Sequence, residues 1–213
     1  MSDKKKINHK FIAVAGNIGA GKSSLTGLLA KHYGWEAFYE SVDDNPYLSD
    51  FYEDMRRWSF NLQIYFLSSR FRHQKEMLET PKSLIQDRTI YEDVEIFAKN
   101  LHEMNLMSDR DFKNYGALFN EMSHYLRPPD LLIYLRAQVP TLVKQIQQRG
   151  RSYENTIRIE YLEKLNVLYE DWISRYPYEK LIIDTDDLDF VNEKEDLGKI
   201  IELVEQRLFG LFN

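Results

Sequence analysis

Gly16-Asn17-Ile18-Gly19-Ala20-Gly21-Lys22-Ser23 decides the fold, because it follows directly on the apolar run Phe11-Ile12-Ala13-Val14-Ala15. The glycine spacing and the terminal Lys-Ser are those of a Walker A loop. The loop lies between a run of strand length and a stretch of helical period, the context it requires. Glycines there let backbone N–H groups curl around phosphate oxygens, and a helix starting near Lys22 adds the positive end of its dipole. Lys22 would reach the β and γ phosphates of ATP and Ser23 would ligate Mg2+, with Ser24 in the same phosphate-binding set.

Outward from the loop, short apolar runs alternate with longer helical periods, the pattern of crossover units on a parallel sheet. Strands are expected at 11–16, 35–40, 83–88, 130–136 and 180–185. Helices are expected at 22–33, 53–79, 89–105, 108–125, 140–149, 157–175 and 191–209, with Pro128 and Pro129 stopping the fourth. The reading is an α/β P-loop kinase fold: a five-stranded parallel sheet flanked by helices, with a short arginine-containing lid at about 149–155. No repeat or Gly/Ser linker marks a second unit, so residues 1–213 are expected to form a single domain, with 1–9 a frayed tail.

Composition narrows the function. Among 213 residues, 28 basic and 34 acidic side chains give a net charge of −6, which argues against a broad grip on nucleic acid or anionic lipid. An anionic ligand must then be held by a local cluster of cations. There is no cysteine, no apolar run long enough to span a bilayer and no signal-peptide core, so a cytoplasmic protein is expected.

GTPases carry Asp-x-x-Gly and Asn-Lys-x-Asp, and neither string occurs. A regulatory or motor ATPase would need more chain and a strand ending in paired acids. Small phosphotransferases remain, and these must close a loop over the phosphates. Arg149-Gly150-Arg151, followed by Glu154, supplies such a loop, although two arginines at a helix end also serve as dipole complement. Glu40 closes the second expected strand as a candidate base. Asp87-Arg88 closes the third, offering an acid for the Mg2+ shell and a cation for an acceptor oxygen. Gln63 and Arg70, seven apart, share a helix face near Phe66, and Asp93 and Phe97, four apart, share another. An Arg70–Asp93 pair would read a base carrying an exocyclic amino group; without the other motifs both faces would be core with a buried ion pair.

Taken together, Gly16 to Ser23, Tyr39-Glu40-Ser41, Arg57-Trp58-Ser59-Phe60 with Gln63, Asp87-Arg88-Thr89-Ile90-Tyr91 and Arg149-Gly150-Arg151-Ser152-Tyr153-Glu154 resemble the deoxyribonucleoside kinase family over about residues 10 to 190. The resemblance implies Glu40 as the base for a 5′-hydroxyl, Arg88 beside the 5′-oxygen and Asp87 in place of the glutamate many members carry. It implies that Tyr52 and Glu154 hold the sugar 3′-hydroxyl, Gln63 binds the base edge, Phe97 stacks on the base, and Arg149 and Arg151 form the lid. The Arg70–Asp93 pair resembles the deoxycytidine, deoxyguanosine and deoxyadenosine branch, and Glu40 to Leu48 is most similar to bacterial purine-preferring members. The implied partners are ATP, with Mg2+, and a purine deoxynucleoside, deoxyadenosine foremost; deoxyguanosine and deoxycytidine are the alternatives. Three positions depart from the family pattern: Asn45, Thr89 and Gln145. The loop Asp184 to Phe190 would frame the donor base in place of an arginine at 145. A homodimer is implied by analogy, with Phe112, Tyr115 and Phe119 facing a partner or the core. Rival readings are a nucleoside monophosphate kinase using Arg56, Arg57, Arg70 and Arg72, and a nucleotide-sensing module without turnover.

Overall fold

The computed structural model describes residues 9–39, 45–151, 154 and 157–210. Glu40, the candidate base, lies outside the described residues.

Five parallel strands form the sheet: β1 (Phe11–Gly16), β2 (Glu36–Phe38), β3 (Leu84–Asp87), β4 (Leu131–Arg136) and β5 (Lys180–Asp184). Their spatial order is β2-β3-β1-β4-β5. All of β1 is buried, as a strand covered on both faces must be. Alternate residues serve two cores. Ala13, Ala15, Leu132 and Tyr134 point to one face, and Ile12, Val14, Ile133 and Leu135 to the other. The chain moves to one side of β1 for β2 and β3 and to the other side for β4 and β5. A crevice therefore opens beyond the carboxyl end of β1, where ligands of such sheets bind. Asp87 is in register with Val14, and the Arg88 N–H donates to the Val14 carbonyl at 2.9 Å, so the Asp-Arg pair arrives beside the phosphate loop.

α1 (Lys22–Tyr33), α7 (Val139–Arg149) and α9 (Lys194–Phe209) supply Leu25, Leu142 and Ile200 to the second core. α3 (Met55–Glu79), α6 (Asp109–Ser123) and α8 (Ile159–Arg175) supply Leu67, Tyr115 and Tyr169 to the first.

The structure corrects several boundaries. The helix expected at 53–79 is α3, starting at Met55, and a short helix not expected from the sequence, α2 (Leu48–Glu53), precedes it; Asp54 divides the two and caps α3, its side chain accepting from the Arg57 N–H at 3.0 Å. The helix expected at 89–105 begins as α4 (Ile90–Glu92), widens into a π-helical turn (Asp93–Ala98) and resumes as α5 (Lys99–Glu103). A residue period near four does not separate α from π geometry, so only the coordinates reveal it. The described part of the second strand is short, and α9 starts at Lys194 rather than 191. Among the described residues no helix is long and apolar enough to cross a membrane.

Candidate active site

The loop between β1 and α1 has the backbone its glycines permit. Gly19 and Gly21 have φ +85 and +88, left-handed values that strain any residue with a Cβ. At Gly19 there is also no room: a Cβ would lie 2.7 Å from the Leu142 carbonyl oxygen of α7. The loop is tied to α8 by Asn17, a buried side chain whose amide donates to the Leu162 carbonyl (3.0 Å) and to Asn166 Oδ1 (2.7 Å), while its own oxygen accepts from the Ile18 N–H. Asn17 is thus an anchor of the loop, and Asn166, which no motif pointed to, is its partner. Lys22 is buried and donates from Nζ to the Asn17 carbonyl at 2.8 Å.

Two cavities flank this loop. The smaller, about 260 Å3, is lined by Ile18, Lys22, Tyr52, Gln63, Phe66, Asp87, Arg88, Asp93, Phe97, Arg149, Arg151 and Glu154. The larger, about 660 Å3, is lined by Gly19, Gly21, Ser23, Ser24, Gln145, the α7 face and the loop Thr185–Asn192. Ser23, Arg149 and Arg151 line both, so they mark where the contents of the two cavities would meet. Gly16 and Ala20 shape the loop from within; Ala20 is fully buried.

In the smaller cavity Gln63 is 2% exposed, and its Oε1 has no hydrogen-bond partner among the described residues. A buried unpaired acceptor is costly unless a ligand meets it. Arg70 Nε donates to Asp93 Oδ2 at 2.6 Å with both groups buried. Of that pair, Asp93 lines the cavity and Arg70 is held against it by the ion pair. Phe66 lies under Arg70, the guanidinium carbon 5.5 Å from the ring centroid. Phe97 lines the cavity and also carries the Arg88 guanidinium, 4.4 Å from its centroid. Tyr39, Leu48, Phe51, Leu62 and Tyr161 also line the cavity. Burial pushes the Tyr161 phenol well above its ordinary pKa.

The lid arginines converge on one carboxylate. Arg149 forks onto Glu154, with Nε at 3.1 Å from Oε2, and Arg151 Nη1 stands 3.8 Å from Oε1. Gly150, at φ +69, ends α7 and turns the chain between the two arginines. Ser23 donates its hydroxyl to Asp87 Oδ2, while the buried Asp87 Oδ1 has no partner among the described residues. A hydroxyl beside a carboxylate with an open oxygen is the hard donor set that Mg2+ uses alongside phosphate oxygens.

Of the remaining expectations, Tyr115 and Phe119 are buried in the core, while Phe112 is half-buried and stacks on His102 at 4.5 Å. Arg56 and Arg57 line a separate recess with Ser108 and Asp111.

Residues 12–209 match the family model for deoxynucleoside kinase. The chain is 43% identical to a deoxyadenosine/deoxycytidine kinase of Bacillus subtilis, covering 92% of both proteins. It is 41% identical to a deoxyguanosine kinase of Lactobacillus johnsonii, again over 92% of each. The solved structure of deoxyadenosine kinase from M. mycoides with bound dATP superposes with a TM-score of 0.83 at 33% identity, covering 92% of this chain and 100% of that one. The chain belongs to the deoxynucleoside kinase family, whose members are ATP-dependent phosphotransferases.

Proposed function

We propose that this deoxynucleoside kinase transfers the γ-phosphoryl of ATP to the 5′-hydroxyl of a purine deoxynucleoside, deoxyadenosine foremost. The observation that carries the reading is the pair of cavities that, among the described residues, share Ser23, Arg149 and Arg151, with the phosphate loop between them. A donor in the larger cavity and an acceptor in the smaller would meet in line at that point. Deoxyadenosine is placed foremost on the relatives named for it; the open Gln63 Oε1 and the Asp93 carboxylate lining the same cavity would accept from an exocyclic amino group, which deoxycytidine carries as well.

In this reading Glu40 takes the proton from the 5′-hydroxyl. Arg88 meets the 5′-oxygen, and Tyr52 with Glu154 holds the 3′-hydroxyl. Gln63 and Asp93 read the base between Phe66 and Phe97, with Arg70 fixing Asp93. Backbone N–H groups of the loop from Gly19 to Ser24 and the Lys22 ammonium hold the donor phosphates, and Arg149 and Arg151 neutralise charge on the transferring group. Mg2+, held by Ser23 and Asp87 together with the phosphates, would supply further charge neutralisation. Gln145 and the loop to Phe190 frame the donor base.

A phosphorylated acceptor finds less support. Arg70 is committed to Asp93, and Arg56 and Arg57 lie at a separate recess. Self-association and a cytoplasmic site of action rest on the family likeness alone; on α6, Leu118 remains 44% exposed. The deciding experiment is a phosphorylation assay with ATP, Mg2+ and a panel of deoxyadenosine, deoxyguanosine, deoxycytidine, thymidine and dAMP. The highest kcat/KM is expected for deoxyadenosine; preference for dAMP or thymidine overturns the assignment.

A further inference from the structure

Glu92 belongs to no motif of the proposed reaction, yet it joins three parts of the site. Its side chain is fully buried. Oε2 accepts from the Thr89 N–H (2.6 Å) and the Thr89 hydroxyl (3.1 Å), which completes a capping box at the start of α4. Oε1 is not needed for that cap. It accepts instead from the Gly16 N–H at the mouth of the phosphate loop (3.3 Å), from Arg88 Nη1 (3.3 Å) and from the Tyr169 hydroxyl of α8 (2.7 Å). Tyr169 in turn accepts from Arg88 Nη1 at 2.7 Å and stands 2.8 Å from the Gly16 carbonyl.

Both charges of the Arg88–Glu92 pair are out of water, at 4% and 0% exposure. Such a pair contributes little net stability over an apolar one of the same size, because desolvation offsets the attraction. It does fix geometry. Arg88 also holds a left-handed backbone, φ +68, uncommon for a residue with a side chain, and its guanidinium is flanked by the Phe97 ring.

We propose that Glu92, with Tyr169, is a positioning residue that fixes the Arg88 guanidinium relative to the phosphate loop, so that acceptor oxygen and donor phosphate are held in register. The inference rests on the reading above that Arg88 meets the acceptor oxygen. Its mark is a loss in turnover rather than in binding, because the ground-state contacts of sugar and base lie elsewhere in the cavity.

The test is a double-mutant cycle on the full chain, with melting temperature measured for every variant. Glu92→Gln retains an acceptor for the capping box and removes the charge. Its kcat is expected to fall roughly 10- to 100-fold with the KM values for ATP and deoxynucleoside little changed. Tyr169→Phe should fall in the same direction by less, and in an Arg88→Ala background neither substitution should cost further activity. Wild-type kcat in both single variants overturns the inference, as does an undiminished loss in the Arg88→Ala background, which would mark a purely structural role. If Glu92→Gln melts before assay, Tyr169→Phe decides alone by the same two criteria. Full turnover by Arg88→Ala overturns the reading of Arg88 itself and the inference with it, and that result is separate from the behaviour of Glu92 or Tyr169.

Discussion

The two cavities that meet at Ser23 are made of different material. The smaller is lined by buried polar groups: Gln63, Asp93 in its ion pair with Arg70, and Arg88 in its bonds to Glu92 and Tyr169. The larger is walled by an exposed helix face bearing Lys144 and Gln148 and by the loop containing Asp186, Asp187 and Asp189, all open to solvent. Discrimination is strongest where a wrong ligand would leave buried polar groups unpaired, because that penalty far exceeds the loss of a solvated contact. Selectivity on the proposed function should therefore reside on the acceptor side, and the donor side should tolerate change.

Four experiments press on that contrast, in descending order of effect. Glu40→Gln should lower kcat by roughly 100- to 10,000-fold, the range for removing a general base, and retained wild-type turnover would remove the base from residue 40. Next, Asp93→Ala should strand the buried Arg70 charge at a cost of about 3–5 kcal/mol, seen as a melting temperature lower by roughly 10 °C. The paired replacement Arg70→Met with Asp93→Leu should recover most of that stability while flattening the preference among deoxynucleosides; an unchanged panel would detach the pair from base selection. On the other side, Gln145→Ala should change the KM for ATP by only a few-fold, as for one solvated hydrogen bond, and leave nucleoside preference untouched. A larger shift in nucleoside preference than in donor KM would reverse the comparison.

The smallest effect is one of pH. His73 on α3 is half-buried against Phe38, and burial, aided by Arg70 and Arg72 and opposed by Glu76, holds its pKa below the ordinary 6.5. Because the folded state binds the proton less readily than the unfolded chain, stability is complete above about pH 6.5 and declines as the pH falls from there toward the folded-state value. His73→Gln should show a flatter melting temperature over that interval, measured by thermal denaturation across the pH range above carboxylate titration.

How much of this was legible beforehand divides along the same line. The phosphate loop was readable because its chemistry is local: one strand end, three glycines, a lysine and a serine within eight consecutive positions. The first strand and α1 have the expected bounds for the same reason. Asp87-Arg88 was placed because strand ends are where ligands bind. Glu92 was not found, although Thr89 and Glu92 have capping-box spacing. Its second set of bonds comes from Gly16 and Tyr169, 76 and 77 positions away, and no local pattern encodes them. Tyr169 sits at core spacing on α8 and reads as packing.

Gly19 has a mechanical consequence. The Leu142 carbonyl and the Ile146 side chain of α7 rest where its Cβ would be, and Arg149 lies seven residues beyond Leu142, about 10 Å along the helix axis. The helix is a lever whose fulcrum is a missing methyl group. Filling that space would tilt the lever at its pivot, and the displacement would emerge at the arginine end, where the two cavities meet, without any atom there having been changed.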